Sequence, residues 1–130
     1  MKVFVYGTLK PGEGNFEPYC GGKVREVTPA YTHGHLYALP LGYPAMTTGD
    51  TQVRGALLTF DDESVLSDID DLEDYNPNLP PSENLYQREW LIVYAPSGKS
   101  LGQAWGYRMA FWRVQQLGGV FLPSGNWQGN

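Results

Sequence analysis

Short apolar runs separated by glycine- and proline-containing turns dominate the chain, a pattern that favours strands over helices. The first run, Val3–Tyr6, is β-branched or aromatic throughout and predicts a buried strand. Lys23–Tyr37 is expected to be extended, and the apolar run Val53–Phe60 predicts a strand that is buried on both faces. Leu85–Tyr94 and Leu101–Met109, joined by a Pro-Ser-Gly-Lys turn, predict an antiparallel hairpin.

Helix signals are fewer. Asp61–Tyr75 carries the only strong one, with acidic residues at its start and an apolar stripe formed by Val65, Leu66, Ile69 and Leu72. Phe16–Cys20 predicts a short helix, with Asn15 as its N-cap and two glycines after it. The prolines of Pro40–Ala45 and Asn76–Asn84 predict loops in both segments.

The angular positions on the longer helix single out one carboxylate. At 100° per residue, Glu73 lies about 50° from the centre of the apolar stripe, whereas Asp70, Asp71 and Asp74 lie about 110° to 150° away. Glu73 is therefore predicted to be the one carboxylate near the end of this helix that faces the protein. Burial would raise its pKa toward the range of an acid–base catalyst. The alternative is a solvated acid, or one that is paired with Arg88.

The end of the first strand is the second candidate feature. Gly7 allows a sharp change of direction, and Thr8–Gly14 is predicted to form a turn. Main-chain N–H groups beyond a strand end have no strand partner, so they can hold a carboxylate or a carbonyl oxygen. An ordinary strand end is the alternative interpretation.

Composition and charge limit the function classes. With 130 residues, of which 42% are hydrophobic, the chain is expected to form a single globular domain over residues 1–130. Its net charge of −5 argues against nucleic acid and anionic membranes as partners. The single cysteine, Cys20, excludes an internal disulfide, and no apolar stretch has the length of a signal peptide core or a membrane span. A cytoplasmic protein is the expectation, and no signal specifies an oligomeric state.

Other chemistries have weaker support. His33 and His35 share a strand face, but no third ligand stands at a suitable spacing, so no metal site is expected. Glu13 and Gly14 replace the Lys and Ser/Thr of a phosphate-binding loop. Cys20 has no base placed near it and is predicted to be a buried thiol.

Together, seven motifs in order along nearly the whole chain resemble the γ-glutamylcyclotransferase family. They are Val5-Tyr6-Gly7-Thr8-Leu9, Gly34-His35-Leu36-Tyr37, Tyr43-Pro44-Ala45, Val53-Arg54-Gly55-Ala56-Leu57, Ile69-Asp70-Asp71-Leu72-Glu73-Asp74-Tyr75, Tyr86-Gln87-Arg88 and Ser124-Gly125-Asn126-Trp127. The resemblance implies an α+β fold, in which a small mixed barrel-like β-sheet packs with two main helices and holds the active cavity at one end.

The resemblance also implies an activity, the cyclisation of a small γ-glutamyl amine or γ-glutamyl amino acid to 5-oxoproline with release of the free amine. No cofactor and no metal are implied. Glu73 occupies the position of the catalytic general base and acid, and substrate-binding positions fall on Tyr6, Gly7, Thr8, Leu9, Tyr86 and Tyr107, with Arg88 as a support. The alternative is a non-catalytic ligand-binding or regulatory module that retains the cavity.

Overall fold

Six strands and three helices make up residues 1–129, the part of the chain that the computed structural model describes. In chain order the elements are β1 Lys2–Val5, α1 Phe16–Cys20, β2 Val24–Ala38, β3 Pro44–Phe60, α2 Val65–Leu72, a 3-10 turn at Pro81–Glu83, β4 Gln87–Tyr94, β5 Ser100–Arg108, α3 Phe111–Gln116 and β6 Val120–Phe121. Within residues 1–129, no helix has the length and apolar character that crossing a bilayer requires.

The strands form one sheet in the order β3-β1-β5-β4-β2-β6, and a further pairing of β2 with β3 closes the first five strands into a barrel. β1 and β5 run parallel, with Val3 opposite Trp105, whereas the other pairings are antiparallel. β2 meets β4 at a single pair, Tyr31 opposite Tyr94. The expected mixed, barrel-like α+β architecture is confirmed.

β1 is buried on both faces because it lies between two hydrophobic cores. Val3 and Val5 pack into the cluster that contains Val65 and Ile69 of α2. Phe4 and, just beyond the strand, Tyr6 alternate with them and belong to a second cluster with residues of β2, β3, β4 and β5. The strand that leads into the Gly7 turn is therefore fixed from both sides.

Several boundaries differ from the sequence predictions. β3 begins at Pro44, so the predicted loop Pro40–Ala45 ends earlier; the first position of a strand tolerates a residue that lacks an N–H group. α2 is shorter than Asp61–Tyr75, because the Asp62 carboxylate accepts the N–H of Ser64 in a turn before the helix. The predicted hairpin and the bounds of α1 are confirmed, whereas α3 was not predicted.

The end of α2 has the geometry that usually requires glycine. Asp74 has a positive φ of 52°, its N–H donates to the carbonyl of Asp71, and the N–H of Tyr75 donates to the carbonyl of Asp70 at 2.9 Å. This pair of bonds is a Schellman motif, which stops the helix. Glu73 is therefore the C-cap residue of α2. It is the last position at which the helix still determines the direction of the side chain.

Candidate active site

A cavity of about 310 Å³, here called the strand-end cavity, lies where β1 meets the C-terminus of α2. Its volume suits a small molecule. All of the site residues predicted from the sequence line it: Tyr6, Gly7, Thr8, Leu9, Glu73, Tyr86 and Tyr107. Seven further residues complete the wall: Phe4, Val5, Asn15, Tyr43, Pro44, Leu72 and Leu85. Glu73 is thus the only ionisable carboxyl group among the lining residues.

The Glu73 carboxyl group is partly buried and lacks a partner. No hydrogen bond or ion pair within residues 1–129 reaches it, and the acids and bases around it pair with one another instead. Burial, and secondly the negative charge of Asp70, raise its pKa from 4.5 to about 7. A carboxyl group with this pKa is divided between its acid and base forms near neutral pH, as proton transfer in both directions requires.

Asp70 corrects one prediction. It is only 8% exposed, although its position on the helical wheel placed it on the solvent side. Its carboxylate accepts a hydrogen bond from the hydroxyl of Tyr107 at 2.5 Å and pairs with Nη1 of Arg88 at 2.5 Å. The prediction that Glu73 alone faces the protein was therefore wrong.

Arg88 is held by more than this ion pair. Its guanidinium lies 5.2 Å from the ring centre of Tyr75 and 4.7 Å from that of Trp105. Because Arg88 is directed to Asp70, the alternative in which it neutralises Glu73 does not apply. Arg88, which would lower the pKa of Glu73 if the two were paired, is instead paired with Asp70, one helical turn before Glu73.

The turn after β1, which lines the cavity, contains main-chain donors without a partner. Within residues 1–129, no acceptor pairs with the N–H groups of Gly7, Thr8 or Leu9. The turn is held through other groups: Lys10 donates to the carbonyl of Gly7, and Asn15 donates through its main chain and through Nδ2 to the carbonyl and the hydroxyl of Thr8, each at 2.9 Å. These three N–H groups therefore need not give up a hydrogen bond within the fold in order to bind a ligand.

Gly7 is required here by space. A Cβ atom at this position would lie 2.7 Å from Cγ of Pro44, inside van der Waals contact. The close approach of the β1 turn to the start of β3 forms one wall of the cavity.

The three tyrosines predicted as site residues line the cavity, while their hydroxyl groups bond to neighbouring elements, that of Tyr107 to Asp70 of α2. Tyr6 donates to the carbonyl of Tyr107 at 2.7 Å and accepts the N–H of Met46. Tyr86 donates to the carbonyl of Pro44 at 2.6 Å. Burial raises the pKa of all three phenols, so they stay neutral.

Asn15 and Tyr43 are the polar lining residues that the sequence did not single out. Asn15 was predicted as the N-cap of α1, but its side chain makes no capping bond and instead braces Thr8. Its spacing of seven residues from Thr8 carries no periodic signal. Tyr43 belongs to the matched motif Tyr43-Pro44-Ala45, and this motif was the one sequence signal that could have identified it as a site residue.

Other candidate chemistries are placed elsewhere. His33 packs against the Tyr94 ring, and His35 pairs with Asp50 at 3.1 Å. Within residues 1–129, no group of three or more His, Cys, Asp and Glu side chains could hold a metal ion. Cys20 is buried, as predicted, and burial raises the pKa of its thiol to about 11. A thiolate at this position is therefore scarce near neutral pH.

Comparisons with known proteins give a consistent result. Residues 3–129 match the family model described as "Gamma-glutamyl cyclotransferase, AIG2-like". A γ-glutamylcyclotransferase-like protein of Halalkalibacterium halodurans is 40% identical over 60 residues, which cover 45% of this chain and 51% of the relative. The match thus spans about half the length of that curated relative.

Solved structures share the fold. An AIG2-like protein from Mus musculus superposes with a TM-score of 0.71 at 25% identity, and the match covers 98% of this chain and 87% of that one. YkqA from Bacillus subtilis superposes with a TM-score of 0.69 at 22% identity over 97% of this chain but 39% of its own. An uncharacterised protein from Pyrococcus horikoshii gives 0.66 at 16% identity, covering 97% and 88%.

Proposed function

The chain belongs to the AIG2-like γ-glutamyl cyclotransferase family, and we propose that it cyclises the γ-glutamyl group of a small amide to 5-oxoproline and releases the free amine. The observation that carries the proposal is the arrangement in the strand-end cavity. One unpartnered carboxyl group, Glu73, and the unpaired main-chain donors of the β1 turn line the same small space.

The substrate supplies its own nucleophile. The α-amine of a γ-glutamyl amide attacks the γ-carbonyl carbon, the bond from that carbon to the amide nitrogen breaks, and a five-membered lactam remains. The protein therefore needs no serine or cysteine nucleophile, and its first task is to fold the substrate into the ring-closing conformation. The rings of Tyr6, Tyr86 and Tyr107 give the cavity the apolar walls for this task.

Glu73 moves the proton. The α-amine is charged at neutral pH and must lose a proton before it attacks, while the departing nitrogen must gain one. A carboxylate with a pKa of about 7 accepts the first proton and donates it to the leaving nitrogen. The α-nitrogen loses a second proton after the attack, when it becomes the lactam nitrogen, and the released amine takes it up as it becomes charged at neutral pH, so no net proton is consumed.

The donors of Gly7, Thr8 and Leu9 have two alternative assignments. They stabilise the oxyanion that forms on the γ-carbonyl oxygen, or they hold the α-carboxylate of the substrate. Either assignment uses N–H groups that the fold leaves unpaired.

The test is release of 5-oxoproline from a panel of γ-glutamyl compounds by the wild-type protein and by Glu73→Gln. We expect the variant to lose at least about 100-fold in rate, because general acid–base catalysis contributes roughly that factor or more. Glu63→Gln, the same change at an exposed residue before α2, serves as the matched control and should retain full activity. Equal turnover by wild type and Glu73→Gln would overturn the mechanism. Binding of the compounds without any product from the wild type would favour the non-catalytic module.

A further inference from the structure

A second cavity, of about 450 Å³, lies at the other side of Leu85, which lines both spaces. Residues of β3, β4, β5 and α3 form it together with part of the Asn76–Asn84 loop. Two arginines, Arg108 and Arg113, line it, and we call it the arginine cavity.

Arg113 has a positive charge with no acid to balance it. Within residues 1–129, no carboxylate lies in ion-pair distance of its guanidinium, which donates through Nη2 to the carbonyl of Ser82 and lies 4.6 Å from the ring centre of Trp112. Its Nε is buried and has no hydrogen-bond partner among these residues. A buried donor on a charged group without a partner is destabilising, and an acceptor bound in the cavity would remove this cost.

Arg108 has the same orphaned donor. Its Nη1 lies 3.5 Å from Oε1 of Glu89 and its Nη2 donates to the carbonyl of His33, but its Nε is buried without a partner in residues 1–129. Glu89 also lines the cavity. Two guanidinium groups and one carboxylate leave a single net positive charge there, although the whole chain has a net charge of −5.

We propose that the arginine cavity binds the carboxylate of a small organic acid, with Arg113 as its principal partner. Guanidinium groups bind carboxylates through paired, charge-assisted hydrogen bonds, and the exposed Trp112 adds an apolar surface beside the charge. A single carboxylate balances the spare charge of the cavity. A dianion would place its second charge near Glu89.

The carboxylate has two possible sources. The first source is the leaving amine of the substrate: because Leu85 borders both cavities, a substrate whose γ-glutamyl part lies in the strand-end cavity can place the carboxylate of its leaving amine in the arginine cavity. This source rests on the proposed function. The carboxylate can also belong to a separate molecule, and this source is independent of the proposed function. The chemistry that Arg113 recognises is the same in both.

Calorimetric titration of the Glu73→Gln protein, in which substrates are not consumed, distinguishes the sources. The probes are γ-glutamylalanine, γ-glutamylethylamide, which lacks the carboxylate of the leaving amine, and N-acetylalanine. Arg113→Gln and Arg113→Lys are compared with Arg54→Gln, which removes an exposed arginine that lines neither cavity. Circular dichroism checks the fold of each variant.

If the substrate is the source, Arg113→Gln weakens binding of γ-glutamylalanine by about ten- to a hundred-fold, leaves γ-glutamylethylamide unchanged, and Arg113→Lys restores part of the loss. If a separate acid is the source, N-acetylalanine binds and loses a similar factor, while both γ-glutamyl compounds are unaffected. Arg54→Gln should change neither result.

Binding that does not depend on Arg113, or no binding of any carboxylate probe, would overturn the proposal. If Arg113→Gln does not fold, the comparison of wild type with Arg113→Lys decides, because a paired contact to guanidinium is weakened by lysine as well. Release of 5-oxoproline by the protein with Glu73 intact is scored separately. If 5-oxoproline forms but binding does not depend on Arg113, the arginine site is refuted and the proposed function stands. If binding depends on Arg113 but no 5-oxoproline forms, the arginine site stands and the proposed function is refuted.

Discussion

Replacing Glu73 by glutamine should stabilise the protein at alkaline pH while it lowers activity by at least about 100-fold. Between pH 4.5 and about 7, the folded protein keeps a proton on Glu73 that the unfolded chain has already released. Unfolding then releases a proton, so a rise in pH favours the unfolded state. The contribution of Glu73 to the free energy of unfolding is fully present below pH 4.5 and is lost as the pH rises through about 7. Glutamine has no proton to lose, so the variant lacks this dependence.

The magnitude follows from the pKa. At about 1.36 kcal/mol per pKa unit, a rise from 4.5 to about 7 corresponds to about 3 kcal/mol. Because the side chain is only partly buried, water that enters the cavity reduces the effect, and a gain of roughly 1–3 kcal/mol at alkaline pH is expected. This is a large part of the free energy of unfolding of a small domain.

Urea denaturation measures the effect, with the free energies of unfolding of wild type and variant compared at several values between about pH 4 and pH 8. The informative quantity is how the difference between the two proteins changes with pH, since the packing difference between the acid and the amide cancels. We expect this difference to grow in favour of Glu73→Gln as the pH rises. Glu63→Gln, at an exposed position, should give a difference that does not change with pH. A flat difference for Glu73→Gln as well would refute the claim that burial holds this carboxyl group near neutrality.

Two further predictions concern the groups around Glu73. Asp70→Asn removes the negative charge near Glu73 and leaves Arg88 positive, so the pKa of Glu73 should fall. The acidic limb of the pH profile of kcat/KM should then move to lower pH. A limb that does not move would mean that the charge of Asp70 does not act on Glu73. Gly55→Ala places a Cβ 2.0 Å from the carbonyl oxygen of Val5, so it should lower the free energy of unfolding by about 1–3 kcal/mol in urea denaturation. Gly14→Ala, which meets open space, is the control and should stay within about 0.5 kcal/mol of wild type.

Local patterns were sufficient for the elements that local forces define. The two strand-like runs on either side of the Pro-Ser-Gly-Lys turn predicted the β4–β5 hairpin, and the five residues of α1 lie between the asparagine and the glycines that were predicted to bound them. The wheel placed Glu73 toward the interior because one side of α2 is strongly apolar. These inferences needed no knowledge of what packs against each element.

Asp70 shows where such reasoning fails. A helical wheel measures the direction of a side chain relative to the apolar stripe, but it contains no information on Arg88 and Tyr107, which come from β4 and β5 and make a buried place for a charge. The arginine cavity was missed for the same reason, since Ser82, Arg108 and Arg113 belong to three separate segments of the chain. α3 gave no signal because it is six residues long and has no side-chain cap.

The hydroxyl bonds of Tyr6 and Tyr86 have a consequence for selectivity. Each phenol is fastened to a carbonyl of a neighbouring strand, so an incoming molecule meets these aromatic side chains chiefly as hydrocarbon surface. Discrimination at these two walls then depends on the shape and thickness of the bound molecule, while polar recognition is left to Glu73, the peptide backbone and the polar lining residues Thr8, Asn15 and Tyr43. Exchanging wall residues for others of different bulk would redirect such a pocket toward new molecules without disturbing the atoms that transfer protons.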